Sequence, residues 1–190
     1  MRVIAGTARG RRLTAPAGRD TRPTSDRVRE ALFSSISAAV PGAAVLDLFA
    51  GSGALGIEAL SRGAVRATFV EQAPRAVAAI RQNLRRAGVA PAGQVVHTDA
   101  ALFCRRPAGG PFDLLLCDPP YALDTAAVGD LLAALRDAGG LAVGALAVVE
   151  RDRRGPDPAA GLPTFLAQER LRSYGDTMLL YLRVVEATMP

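Results

Sequence analysis

The run Val45-Leu46-Asp47-Leu48-Phe49-Ala50-Gly51-Ser52-Gly53-Ala54-Leu55-Gly56 constrains this chain more than any other. It sets G-x-G-x-x-G between a short apolar segment and a stretch of helical periodicity. Glycines at such a turn let a ligand approach the backbone where a helix N-terminus presents unpaired N–H groups. Glu71 ends the next apolar run, twenty residues after Gly51, where a carboxylate can grip both hydroxyls of a ribose. The pattern predicts a nucleotide-bearing ligand at the carboxyl end of parallel strands.

The surrounding periodicity agrees. Ala44–Phe49, Arg66–Glu71, Gln94–His97, Phe112–Cys117 and Leu146–Glu150 read as buried strands. Helices are expected at Ala54–Arg62, from Pro74 to Gly88, at 100–106 and at Asp124–Asp137. A terminal hairpin, Phe165–Arg172 with Thr177–Arg183, turns at Tyr174-Gly175-Asp176. Apolar strands alternating with helices mean an α/β chain with a mostly parallel sheet covered on both faces. At the start, residues 2–14 read as two short strands around a turn. A helix follows, capped by Thr24 or Ser25, with Val28, Leu32, Ile36 and Ala39 on one face.

At 190 residues and 49% hydrophobic, the chain holds one ordinary domain with ample apolar material, which excludes disorder. No apolar run reaches the ~18 residues of a membrane span. Every one of the 23 basic residues is arginine. Eight lie within Met1–Arg29 against Asp20 and Asp26, a net +6, while the other 161 residues carry 15 Arg and 16 acids. A GC-rich coding sequence accounts for the missing lysine but not for the clustering. The N-terminal block reads as a polyanion contact, because guanidinium suits phosphate geometry. Residues 1–23 are therefore expected to form a basic arm, and 24–190 the main domain. Cys104 and Cys117 have no partner spacing for zinc or a disulfide framework, which suits a reducing cytoplasm, and no metal is expected.

The glycine turn alone admits a dinucleotide or S-adenosylmethionine. Asp47 discriminates between them: a carboxylate inside the apolar run is either a buried, hydrogen-bonded structural acid or, since burial without a partner is costly, one that a sulfonium and an ammonium would partner. Asp99 ends the third strand, where it can meet an adenine amino group, cap the following helix, or both. His97, the lone histidine, is expected to be a structural strand residue.

Phe112–Cys117 runs into Asp118-Pro119-Pro120-Tyr121, an acid and an aromatic flanking a rigid pair at the end of a sheet strand. Methylation of an exocyclic nucleobase amine needs such residues, since that nitrogen's lone pair is delocalised into the ring. Asp118 and the Pro119 carbonyl can accept the amine's two N–H groups. Proline fixes that carbonyl's direction and removes a competing donor, and Tyr121 can stack on a base taken out of its helix.

Asp47-x-Phe49-x-Gly51-x-Gly53, Glu71, Asp99 and the DPPY run together resemble the amino-group methyltransferases that use S-adenosylmethionine. The hairpin Gly6-x-x-Arg9-Gly10-Arg11-Arg12-Leu13, the stretch from Arg22 to Phe33 (RPTSDRVREALF) and Tyr174-Gly175-Asp176-Thr177 narrow the resemblance to the RsmD family. These are bacterial methyltransferases of guanine N2 in 16S ribosomal RNA. The resemblance spans nearly the whole chain. It implies a Rossmann-like class I methyltransferase fold, with seven mostly parallel strands, an antiparallel C-terminal hairpin and a small basic N-terminal β-hairpin. It also implies that Thr24, Asp47, Phe49, Gly51, Gly53, Glu71, Gln72, Asp99 and Ala100 hold the cofactor, with Arg22 to Thr24 closing over its methionine end. Asp118, Pro119, Pro120 and Tyr121 are the implied catalytic group, and Arg2, Arg9, Arg11, Arg12, Arg19 and Arg22 an RNA contact. The implied partner is 16S rRNA in the 30S subunit or its precursor, met by a cytoplasmic monomer.

Three other functions are consistent with parts of the pattern. An adenine-N6 DNA methyltransferase shares DPPY, but 190 residues leave little room for a sequence-reading domain. A dinucleotide oxidoreductase has no use for Asp47 or DPPY. A non-catalytic RNA-binding assembly factor would not need every cofactor and amine position filled.

Overall fold

The computed structural model describes residues 1–15, 26–120, 122–155 and 157–186. After a short N-terminal hairpin the elements run α1 (Asp26–Ser35), β1 (Ala44–Leu48), α2 (Ala54–Ser61), β2 (Arg66–Glu71), α3 (Pro74–Ala87), β3 (Gly93–His97), α4 (Ala100–Arg105) and β4 (Phe112–Cys117). The chain continues through α5 (Thr125–Asp137), β5 (Leu141–Asp152), β6 (Leu166–Tyr174) and β7 (Thr177–Val184). The seven strands form one sheet in the order β3-β2-β1-β4-β5-β7-β6, with β7 antiparallel to both neighbours. This is the α/β sheet that the strand–helix alternation predicts. Among the described residues no helix is long and apolar enough to cross a membrane.

Central strands are buried on both faces, as helices covering a parallel sheet require; all five residues of β1 are buried. Alternate side chains divide the core. Val45, Phe69 and Leu116 face α1, α2, α3 and the N-terminal hairpin, whose Val3, Ala8 and Leu13 join that cluster. Leu46, Leu115 and Cys117 face α4 and α5, with Phe103, Val128 and Leu132 opposite.

Three segments depart from the sequence reading. The N-terminal hairpin keeps a single bridge, Arg2 to Arg12, instead of two strands. Val3 and Leu13 N–H groups still bond across it, to the Arg11 and Met1 carbonyls at 3.0 and 3.1 Å, but others turn to α2: the Ile4 and Ala5 N–H groups donate to Glu58 at 2.8 and 3.0 Å, and Ala8 N–H to Ser61 Oγ at 2.9 Å. β5 begins at Leu141, five residues earlier than its apolar run suggests, because Leu141 pairs with Phe112 across an irregularity. α1 ends at Ser35, so Ile36 and Ala39 pack from the turn beyond it. The expected caps of α1, Thr24 and Ser25, lie outside the described residues.

Candidate active site at the carboxyl edge of the sheet

β1 and β4 are neighbours whose onward connections lead to opposite sides of the sheet. Open α/β sheets place their ligands outside the strand ends at such a point. Leu48 and Cys117 are register partners, so Phe49 and Asp118 leave the sheet side by side.

Phe49 has φ 66°, a left-handed backbone that residues other than glycine rarely adopt. Gly51 and Gly53 continue the sharp path at φ 56° and 76°. The three motif glycines meet different surroundings. A Cβ on Gly51 would find only the Phe49 carbonyl, at 4.0 Å, so backbone is open to a ligand there. A Cβ on Gly56 would fall 2.4 Å from the Phe69 ring, so this glycine permits close packing of α2 on β2.

Glu71 is buried at the end of β2 and bonds back to the turn. Its Oε2 accepts the Gly51 N–H at 2.9 Å, and its Oε1 accepts the Ala73 N–H at 2.8 Å. The acid expected to grip a ribose thus holds the glycine turn against the strand end. Gln72 follows it, exposed, and its carbonyl lies 3.1 Å from His97 Nε2. Asp99 caps α4, accepting the Ala101 and Leu102 N–H groups on one oxygen at 2.8 and 3.3 Å. It is exposed at the same edge, and Ala100 behind it is buried. The capping role is therefore present, and the position leaves room for the adenine role.

Asp47 Oδ2 accepts the Gly56 N–H at 2.9 Å. Burial pushes its carboxyl up to about 8, the Gly56 bond opposes that rise, and Glu71 adds to it. A cation placed beside it would favour ionisation. The donor set fits the nucleoside and cationic amino-acid ends of S-adenosylmethionine: an open glycine backbone, a buried acid beneath it, and acids at the ends of β2 and β3.

Beyond β4, Asp118 is half-buried, Pro119 buried and Pro120 exposed. The Pro120 carbonyl accepts the Leu123 N–H at 2.9 Å, and the Leu123 carbonyl accepts from Arg151 Nη2 at 2.7 Å. Arg151, on β5, thereby holds the loop that displays Asp118; the sequence reading passed over it. Tyr121 lies outside the described residues, as do Arg19, Arg22 and Thr24. Arg2, Arg9, Arg11 and Arg12 are all exposed on the hairpin. Burial raises both thiols, Cys104 to about 12 and Cys117 well above its ordinary value, which disfavours thiolate chemistry at either. Among the described residues no group of three potential metal ligands occurs.

Two more buried polar residues organise the site. Asn83, on the apolar face of α3, donates from Nδ2 to the carbonyls of Ser52 and Thr14, both at 2.9 Å. Its Oδ1 accepts the Thr14 N–H at 2.8 Å. One amide thus ties the glycine turn to the exit of the hairpin. Glu58, fully buried on α2, takes the two hairpin N–H groups and pairs with Arg62 at 2.7 Å. Arg29 Nε stands 3.9 Å from Glu58, within pairing distance but beyond a hydrogen bond. Each was legible in principle as a lone polar residue at an apolar helix position.

The fold is that of the S-adenosylmethionine-dependent methyltransferases. An RNA methyltransferase from Salinibacter ruber, solved with S-adenosyl-L-homocysteine, superposes with a TM-score of 0.67 over 88% of this chain and 96% of that one; at 19% identity that likeness carries the fold alone. Relatives at higher identity define the family. The model named Conserved hypothetical protein 95 matches residues 1–183. Ribosomal RNA small subunit methyltransferase D of Escherichia coli K12 is 40% identical over 166 residues, 86% of this chain and 78% of that protein. The Escherichia coli protein yhhF superposes with a TM-score of 0.84 at 34% identity, covering 97% of this chain and 98% of that one. The chain belongs to the family of ribosomal RNA small subunit methyltransferase D.

Proposed function

We propose that this chain methylates the exocyclic N2 of a guanine in 16S rRNA, using S-adenosylmethionine and acting on the small subunit or its precursor. The observation that carries the reading is the adjacency of Phe49 and Asp118 at the carboxyl edge of the sheet. The turn that would hold the cofactor and the acid that would hold the amine emerge from neighbouring strands, in a chain of this family.

S-adenosylmethionine supplies an electrophilic methyl group on a sulfonium. Gly51 would offer open backbone to it while Gly53, packed on Ile80 and Phe69, shapes the turn; Glu71 would take its ribose, Asp99 and Ala100 would flank its adenine, and Asp47 and Thr24 would serve its methionine end. Asp118 accepts one N–H of the target amine and the Pro119 carbonyl the other, which turns the nitrogen lone pair out of conjugation and toward the methyl donor. Tyr121 stacks on the extruded base. Because no relay of nucleophile and base is required, most of the acceleration comes from in-line placement and from acceptors set before the reaction begins. Arg2, Arg9, Arg11, Arg12, Arg19 and Arg22 neutralise phosphates of the rRNA. The protein works as a monomer, in the cytoplasm where that substrate lies.

The test offers radiolabelled S-adenosylmethionine with unmodified small subunits, naked 16S rRNA, large-subunit RNA and DNA, followed by nucleoside analysis. N2-methylguanosine from small-subunit material is the expected product. N6-methyladenine from DNA, or no transfer to any substrate, overturns the reading.

A further inference from the structure

We propose that the outer face of α3 is a second RNA-backbone contact, continuing the basic surface of the N-terminal hairpin across Thr14. The proposal rests on the rRNA reading above and extends it to a helix no motif marks.

α3 carries Arg75, Arg81, Arg85 and Arg86 and no acid in its fourteen residues. All four arginines are exposed, and among the described residues none forms an ion pair. Outside α3, residues 30–190 hold 11 Arg against 16 acids, so this helix is a positive island in an otherwise acidic remainder. A helix face that is merely solvated gains from opposite charges four residues apart. Arg81 and Arg85 put like charges at that spacing instead. The macrodipole welcomes cations in the last turn, which suits Arg85 and Arg86, but it opposes one in the first turn, where Arg75 stands. Helix stability therefore does not explain the pattern, whereas a polyanion does.

The join to the hairpin is structural. Arg86 Nη1 donates to Thr14 Oγ1, and Asn83 one turn earlier brackets the Thr14 backbone through both its N–H and its carbonyl. Thr14 is two residues beyond Arg12, so the exposed arginines of the hairpin and those of α3 share one surface. Arg75 to Arg86 adds about 16 Å along the helix axis. An anionic lipid surface fits less well, because amphipathic membrane helices insert large apolar side chains. The outer face of α3 shows Ala78 and Gln82 between its arginines, and the exposed large hydrophobics Val65, Leu102, Val143 and Leu171 lie on other segments.

The experiment compares wild type, Arg81→Gln/Arg85→Gln, and Arg9→Gln/Arg11→Gln/Arg12→Gln for binding to 16S rRNA within unmodified small subunits between 50 and 200 mM salt, with S-adenosylmethionine affinity as the check on folding. The α3 variant is expected to bind the cofactor normally, to lose roughly tenfold in rRNA affinity, and to flatten the log–log salt slope by about 0.7–0.9 per arginine removed. If only the hairpin variant weakens rRNA binding, α3 is a solvated face and the inference fails while the functional reading stands. If the wild type does not bind rRNA, the functional reading fails and takes this inference with it.

Discussion

The Asp47 carboxylate accepts the Gly56 N–H at 2.9 Å, bonding the end of β1 to the first turn of α2 across the glycine loop. Burial holds this acid's pKa at about 8, so at neutral pH the folded protein keeps a proton there. A cationic ligand that requires the carboxylate must expel that proton. S-adenosylmethionine affinity should therefore climb as pH rises from 6 to about 8, by up to about tenfold per unit, and level off above. Calorimetric titration in buffers of different ionisation enthalpy would register the released proton. A flat pH profile would remove Asp47 from the cationic end. Stability should move the opposite way. An unfolded aspartate ionises near ~3.9, and between there and about 8 the folded chain retains a proton the unfolded chain has lost. This acid's contribution thus weakens with rising pH and is fully lost above about 8. Asp47→Asn should abolish both dependences.

Glu58 is the clamp of the N-terminal hairpin. Replacing it with alanine strands two hairpin N–H groups, removes the partner of Arg62 and leaves the buried Arg29 with Asp26 as its remaining charge partner. Truncating one member of a buried charge network costs about 3–5 kcal/mol. Urea denaturation of Glu58→Ala should show a loss of that order, with Glu58→Gln between it and wild type. A loss under about 1 kcal/mol would mean the hairpin docks through its apolar contacts alone.

Asn83 offers a sharper probe of the glycine turn than any glycine does. Asn83→Asp points an acceptor at the carbonyls of Ser52 and Thr14 where two donors stood. Leaving such buried groups unpaired costs about 1–3 kcal/mol each. Part of that cost should appear as cofactor affinity, about tenfold weaker, because Ser52 lies between Gly51 and Gly53. Cofactor binding within twofold of wild type would confine Asn83 to folding.

Asp118→Ala tests the amine acceptor directly. Removing one preorganised charge acceptor from a reacting group lowers kcat by about 100- to 1000-fold in comparable sites. Cofactor affinity should stay within twofold, since Glu71 and the glycine turn are untouched. Single-turnover kinetics with small subunits would separate the two effects. An unchanged methyl-transfer rate would shift the acceptor role to the Pro119 carbonyl.

Much of the architecture was readable from local pattern. Strand and helix periods placed β2, β4 and α3 almost to the residue, because burial on two faces or one leaves a direct signature in residue order. The glycine turn, Glu71 and the Asp118-Pro119-Pro120 run were equally local, since each depends on neighbours in the chain. The hairpin was legible only in part: its two arms do bond to each other, as Val3 N–H to the Arg11 carbonyl, but the Ile4, Ala5 and Ala8 N–H groups go to Glu58 and Ser61, more than fifty residues away. Arg151, Glu58 and Asn83 escaped for the same reason.

The amino-acid order by itself determined the α/β class, the glycine turn and the acid-proline element, because these follow from side-chain periodicity and from backbone conformations that glycine and proline dictate. Only the tertiary structure decided that Phe49 and Asp118 leave neighbouring strands together, that one amide on α3 holds both the glycine turn and Thr14, and that Arg86 of α3 is bonded to Thr14 at the exit of the hairpin. A buried polar residue interrupts an apolar face without naming its partner. Its role is set by the partner that repays its desolvation, and that partner is chosen by the folded chain.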